Sequence, residues 1–187
     1  ADAKTMVYGA SAPSLTYTYS GLVNGESGAT FAGSLSTNAN STVNVGNSYT
    51  VAQNTLAATG NYAIATYVPA NVSVTPASLT VTADAKAIVY GNSVPNLTYT
   101  YSGLVNGDGS NIITGSLAST ALGIPNAGTY DITQNTISAG NNYTIAYVPA
   151  SLNVTAAPLT VTADAKTMVY GASAPSLTYT YSGLVNG

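Results

Sequence analysis

Apolar and hydroxyl-bearing residues alternate along much of this chain, and the alternation breaks at glycine, proline and asparagine rather than at helical spacing. Leu79-Thr-Val-Thr-Ala83 predicts a half-buried strand. That strand is predicted to continue past Asp84 into Ala87–Tyr90 and to stop at Gly91-Asn92-Ser93, with Pro95 barring regular ladder pairing. The run from Leu97 to Ser102 places Leu97, Tyr99 and Tyr101 on one face and Thr98, Thr100 and Ser102 on the other. Asn106-Gly107 then offers the positive-φ pair of a tight hairpin turn. Further strands are predicted over Ile112–Thr120 (interrupted by Gly115), Gly128–Ile137, Asn142–Val148 and Ser151–Thr155. Their inward positions are Tyr130 and Ile132, then Tyr143, Ile145 and Tyr147, then Leu152 and Val154. No stretch keeps a helical period for three turns, and Tyr and β-branched residues are abundant, so the fold is predicted to be all-β.

The pattern repeats. Ala1–Gly25 recurs letter for letter as Ala163–Gly187, and a close variant fills Ala83–Gly107. The starts lie 82 and then 80 residues apart, so the unit is about 81 residues in an A-B-A order. That period is far too long for a β-helix rung and suits a small domain. Six or seven short strands per unit, with turns every ~8–12 residues, fit a small Ig-like β-sandwich or partly open barrel. A β-grasp-like sheet without its helix is the alternative. The divisions expected are 1–75, a unit lacking its first Leu-Thr-Val-Thr strand, 76–155, a complete unit, and 156–187, the start of a third. Links such as Thr75-Pro76-Ala77-Ser78 are short and carry one Pro, which predicts semi-rigid beads on a string. The 30 residues Pro158–Gly187, ending on an expected Asn186-Gly187 turn, cannot bury a core alone. They are expected to be completed by more of the same array or by strands from a neighbouring chain.

Composition narrows the function classes. Of 187 residues only 5% are charged, against the usual ~25%, and hydroxyl and amide side chains must provide solubility, as in secreted surface polymers. Three Lys, no Arg and no His make nucleic-acid binding and docking on anionic lipid unexpected. Without Cys there are no disulfides, thiolate metal sites or cysteine nucleophiles. The longest apolar-looking stretch, Tyr62–Ala70, is broken by Thr66 and Pro69, so no membrane insertion of this segment is expected.

In the second copy, LTVTADAK, VYG, P-x-LTYTYSGLVNG, GSL, AGTYDITQ-x-T and GNNYTIAYVPASLNVT follow one another in order. The first copy has VGNSYTVAQNTL and GNYAIATYVPANVSVT in the corresponding places, and departs at Glu26–Phe31 and Asn38–Val43. This series resembles the MBG-type domain with the YG-x signature. Such domains recur in tandem in very large bacterial surface proteins, including filamentous-haemagglutinin-like adhesins. The resemblance implies an extracellular β-domain in a stalk and carries over no catalytic residue and no ligand site.

The candidate chemistry is sparse. Asp2, Asp84 and Asp164 are one position in three copies, as are Lys4, Lys86 and Lys166; the remaining acids are Glu26, Asp108 and Asp131. General acid–base or triad catalysis lacks its usual groups, so no enzyme is expected and no catalytic, cofactor-binding or metal residue is assigned. Asp84, Asp108 and Asp131 lie near turns, yet no spaced acidic array marks a calcium loop, and solvated carboxylates are the expected reading. A Lys–Asn isopeptide bond would need Lys86 or Lys4 beside Asn142 or Asn61 and an acid, and intact mass tests it by the ammonia lost. Thr-x-Thr pairs such as Thr80/Thr82 sit on isolated strands, unlike the stacked rungs of an ice-binding face. Tyr pairs such as Tyr99/Tyr101 are read as core, with a glycan-stacking row as the lesser alternative. The sequons at Asn96 and Asn142 are expected by chance in so Asn- and Thr-rich a chain. The expected function is a structural repeat in an elongated stalk or extracellular fibre, or else an adhesive module binding glycan through its loops. The expected partners are neighbouring repeats and identical chains that complement strands.

Overall fold

The computed structural model describes residues 1–26 and 28–185; the expected Asn186-Gly187 turn lies outside them. The first copy contributes β1 (Lys4–Val7), β2 (Phe31–Ala32), β3 (Ser36–Thr37), β4 (Ser48–Ala52), β5 (Ala57–Ala58) and β6 (Ala70–Thr75). The second contributes β7 (Ala77–Ala83), β8 (Lys86–Val89), β9 (Tyr99–Ser102), β10 (Ala118–Ser119), β11 (Gly128–Thr133), β12 (Tyr143–Val148) and β13 (Ala150–Thr155). The third begins with β14 (Thr160–Ala163) and β15 (Tyr179–Ser182). The single helical element among the described residues is a 3-10 turn at Ser110–Ile112, so the chain is all-β as its alternation predicts.

Alternation explains the burial. In β7, Ala77, Leu79, Val81 and Ala83 are buried while the intervening Ser and Thr residues are not. Ile132, Leu152 and Val154 are likewise buried on the predicted faces. Three expectations change: the run continued past Asp84 is divided, with β7 and β8 in different sheets. Tyr101 is exposed rather than inward, because β9 is the outer strand of its sheet and nothing flanks it on one side. The Ile112–Thr120 strand is replaced by the 3-10 turn, one antiparallel bridge from Thr114 to Ser138, and the two-residue β10. Gly115, at φ 88°, breaks the ladder between them.

The sheets run β1-β6-β4-β3 in the first copy, and β10-β11-β13-β8 and β12-β7-β9 in the second. β1 lies parallel to β6 and β8 parallel to β13, while β3 with β4, β4 with β6, β10 with β11 and β11 with β13 pair antiparallel. A parallel neighbour requires a long crossover, and here the whole copy serves as one. In the second copy the two sheets share a core. Ala83, Ala121, Ile132, Leu152 and Val154 are buried together, with Ile88, Leu97, Tyr130 and Tyr147 packed on them.

The chain divides into two compact units. One comprises residues 1–81, 101–115 and 137–146, the other 82–100, 116–136 and 147–187. Each therefore draws on stretches from neighbouring sequence copies.

Candidate functional site

Polar groups of the first and second copies meet within the first of these units. β6 ends at Thr75 and β7 starts at Ala77, leaving Pro76 alone between the copies. Tyr8 follows β1, and its N–H donates to Thr75 O at 2.8 Å, which sets the Tyr-Gly turn beside that link. Asn106 and Gly107 take φ values of 57° and 76°, and Asp108 N donates to Val105 O at 3.0 Å. The predicted tight turn is therefore present, but it joins no hairpin. It carries Asp108 to two phenols instead.

Asp108 Oδ2 accepts from Tyr143 OH at 2.7 Å and from Tyr8 OH at 3.1 Å. The two rings stand edge to face, 5.5 Å apart at 78°. Tyr143 OH also accepts from Val105 N at 3.0 Å. Burial raises the Tyr143 phenol above its ordinary pKa; the Val105 hydrogen bond opposes this, while Asp108 reinforces it. Gly9 sits at φ 86°, and a Cβ there would lie 2.5 Å from Val105 Cγ2, so the glycine permits both the turn and the close approach. The same contact recurs one copy on, where a Cβ on Gly91 would lie 3.1 Å from Val185. Around the cluster, Asn106 Nδ2 donates to Ser41 O at 2.6 Å, Asn142 Nδ2 to Asn44 Oδ1 at 2.8 Å, and Val45 N to Asn142 Oδ1 at 2.9 Å.

Half of this cluster is internal to each copy. Tyr62 OH donates to Glu26 Oε2 at 2.5 Å and accepts from Val23 N at 3.2 Å, as Tyr143 does with Asp108 and Val105. Glu26 and Asp108 thus hold one position in successive copies and one duty. The other acids are also accounted for by local bonds. Thr16 Oγ1 donates to Asp2 Oδ2 and Thr98 Oγ1 to Asp84 Oδ2, each at 2.5 Å, and Thr178 Oγ1 donates to Asp164. Lys86 Nζ donates to that same Thr98 hydroxyl at 2.7 Å.

The candidate residues therefore scatter by role. Asp84 ties the start of the second copy to Thr98, Asp108 joins the tyrosines, and the exposed Asp131 N–H takes Thr120 Oγ1 at 3.1 Å. Among the described residues no three His, Cys, Asp or Glu side chains come together. Lys86 and Asn142, raised for an isopeptide bond, have Thr98 and Asn44 as their respective partners. Sequence reasoning missed Asn142 as a clasp and Asp108 as an acceptor for tyrosines. The common position of Glu26 and Asp108, and the constant Asp–Thr separation in all three copies, were the available signals.

A second feature lies wholly in residues 1–68: a cleft of about 690 Å³ lined by Tyr17, Tyr19, Phe31, Leu56, Ile64 and Tyr67 among others. Phe31 packs against Tyr17 and Tyr19 at 5.2 and 4.9 Å. Tyr67 OH closes part of it by donating to Val51 O at 2.8 Å, and burial raises that phenol's pKa.

No curated protein and no solved structure matches the chain. The model of one family, the MBG domain (YGX type), matches three times, over residues 1–73, 79–153 and 159–187. Its signature falls on Tyr8-Gly9, Tyr90-Gly91 and Tyr170-Gly171, with the first two glycines against a valine of the following copy. With most of its length matched in three consecutive blocks, the chain belongs to the MBG domain family of the YGX type.

Proposed function

We propose that this chain is a non-catalytic structural repeat of a secreted bacterial surface protein, forming an elongated stalk or extracellular fibre. The observation that carries the reading is the junction between the first two copies. A one-residue link at Pro76 and a set of side-chain bonds from Tyr8, Ser41 and Asn44 to the next copy act together there. A spacer needs resistance to bending at each joint, and a short proline link reinforced by several hydrogen bonds supplies it. Asp2, Glu26, Asp84, Asp108 and Asp164 accept local structural bonds through their carboxylates, and Lys86 donates one.

The test is small-angle scattering on arrays of increasing copy number. The maximum dimension rises by a constant step per copy in a stalk; growth as in a compact particle overturns the reading. Surface placement is tested by antibody labelling of intact cells, where signal confined to lysed cells would refute it. The second reading, an adhesive module, is favoured by the tyrosine-lined cleft of the first copy, since sugar rings stack on aromatic faces. Specific micromolar binding on a glycan array would support it.

A further inference from the structure

Asn106 and Gly107 are the central pair of the turn between Val105 and Asp108, and an asparagine followed by glycine is chemically the least durable kind. The backbone nitrogen after an asparagine can attack its side-chain amide, and glycine has no side chain to shield that nitrogen. Space is open around Gly107, where a Cβ would meet nothing within 4 Å, and Asn106 is exposed to water.

Two restraints oppose the attack in the folded chain. The first belongs to the second copy: Asp108 N donates to Val105 O at 3.0 Å, with Asn106 and Gly107 held at φ 57° and 76°. Bringing the Gly107 nitrogen onto Asn106 Cγ requires rotation about the Asn106 Cα–C bond, which this closed turn resists. The second restraint comes from the first copy. Asn106 Nδ2 donates to Ser41 O at 2.6 Å, and Gly9 N donates to the same carbonyl at 3.2 Å. The carbonyl that holds the amide thus also fixes the Tyr8-Gly9 turn, and Tyr8 reaches Asp108 two residues beyond Asn106. This second restraint lasts as long as the two copies stay seated on one another.

We propose that Asn106-Gly107 is a self-modification site, an asparagine that deamidates when the joint opens and thereafter opposes its closing. The Gly107 nitrogen forms a bond to Asn106 Cγ and gives up its proton. The Cγ–Nδ2 bond breaks, ammonia leaves with that proton, and a five-membered succinimide remains. Water then adds to either ring carbonyl and opens the ring, giving aspartate or isoaspartate. Both products exchange the donating amide for a carboxylate, which only accepts hydrogen bonds. The contact with the Ser41 carbonyl then has no proton to share, and a second negative charge stands near Asp108. A closed joint and an intact amide therefore support each other. The inference rests on the joint that carries the structural-repeat reading, and makes its stiffness decline irreversibly with age.

Peptide mapping by mass spectrometry on the full chain, aged in buffer and in urea, tests it. In urea Asn106 deamidates faster than Asn135, which precedes Thr136, because a β-branched side chain crowds the attacking nitrogen. In buffer Asn106 reacts at least about tenfold more slowly than in urea, equivalent to about 1.4 kcal/mol of restraint. The double variant Tyr8→Phe/Asn44→Ala removes first-copy bonds to Asp108 and Asn142 and leaves residues 105–108 unaltered. It deamidates at Asn106 several times faster than the parent in buffer, while the β11 and β13 amides keep their protection from hydrogen exchange. That protection separates an open joint from an unfolded chain; where the pair together costs the fold, Tyr8→Phe alone is read in the same way. Asn106→Asp stands for the product and speeds exchange of the Val45 N–H, which donates to Asn142 Oδ1 across the joint. Equal rates at Asn106 in buffer and urea overturn the proposal, as does an Asn106 no faster than Asn135 in urea. A rate unmoved by the joint variants, or Val45 exchange unmoved by Asn106→Asp, overturns it too. These outcomes are independent of how length grows with copy number, which decides the stalk reading.

Discussion

Asp108 ties a pair within its own copy to the junction, because one carboxylate oxygen accepts from phenols of two different copies. Asp108→Ala removes a charge-assisted acceptor and leaves Tyr8 OH without this bond. The expected loss is about 1–3 kcal/mol in urea unfolding, with Tyr8→Phe losing less because Tyr143 still meets Asp108. Gly9→Ala tests the neighbouring constraint. At φ 86° with Val105 2.5 Å from the new Cβ, it is expected to destabilise by about 1–3 kcal/mol. The phenols also set an alkaline limit. Tyr67, Tyr143 and Tyr147 all have pKa values raised by burial above the ordinary 10.0. In the window above pH 10 the unfolded chain has released these protons while the folded chain retains them, so stability falls as pH rises there. The contribution is fully present below pH 10, and thermal melts across that range should show a declining Tm only above it; Tyr67→Phe should shallow the decline.

At the scale of elements, one sequence occupies two environments, which supplies an internal control. Leu79 in β7 is fully buried and Leu159, ahead of β14, is 52% exposed, although both begin Leu-Thr-Val-Thr-Ala. Leu79→Ala is expected to cost about 2–5 kcal/mol and Leu159→Ala close to nothing, in melts of dilute chain. Much of the fold was legible because period-2 alternation reports burial directly: β9, β11 and β12 lie within the predicted runs, and β7 and β13 start two residues and one residue before theirs. Tyr17–Ser20 shows the limit. Its letters are those of β9, yet it forms no strand because within residues 1–75 there is no Leu-Thr-Val-Thr segment to pair with. Alternation states which side of a strand is apolar and is silent about whether a neighbour exists. The site was less legible for a related reason. Tyr8, Asp108 and Tyr143 are far apart in sequence, and their meeting depends on how one copy seats on the next.

For the whole molecule, repetition makes each contact a rule with local exceptions. The approach of a Tyr-Gly turn to a following valine occurs at Gly9 and Val105 and again at Gly91 and Val185. The loop beside it does not repeat. Asn40-Ser41-Thr42 in the first copy corresponds to Leu122-Gly123-Ile124 in the second, where Leu122 and Ile124 are exposed. The A-to-B joint is therefore clasped through the Ser41 carbonyl and the Asn44 side chain, and the second copy offers aliphatic groups at the matching place. The parallel pairing of β1 with β6 and of β8 with β13 matters most under load. When the stretch from Lys86 to Thr155 is pulled by its ends, β8 is drawn one way and β13 the other. The hydrogen bonds that join Lys86–Val89 to Leu152–Thr155 are then strained together instead of opening one by one. β1 and β6 repeat the geometry over Lys4–Val7 and Val72–Thr75. Single-molecule stretching should show each copy yielding in one abrupt step, whereas a gradual extension would mean that the strands peel. Tension applied in this way becomes shear between the two strands, the direction in which a short ladder resists rupture best.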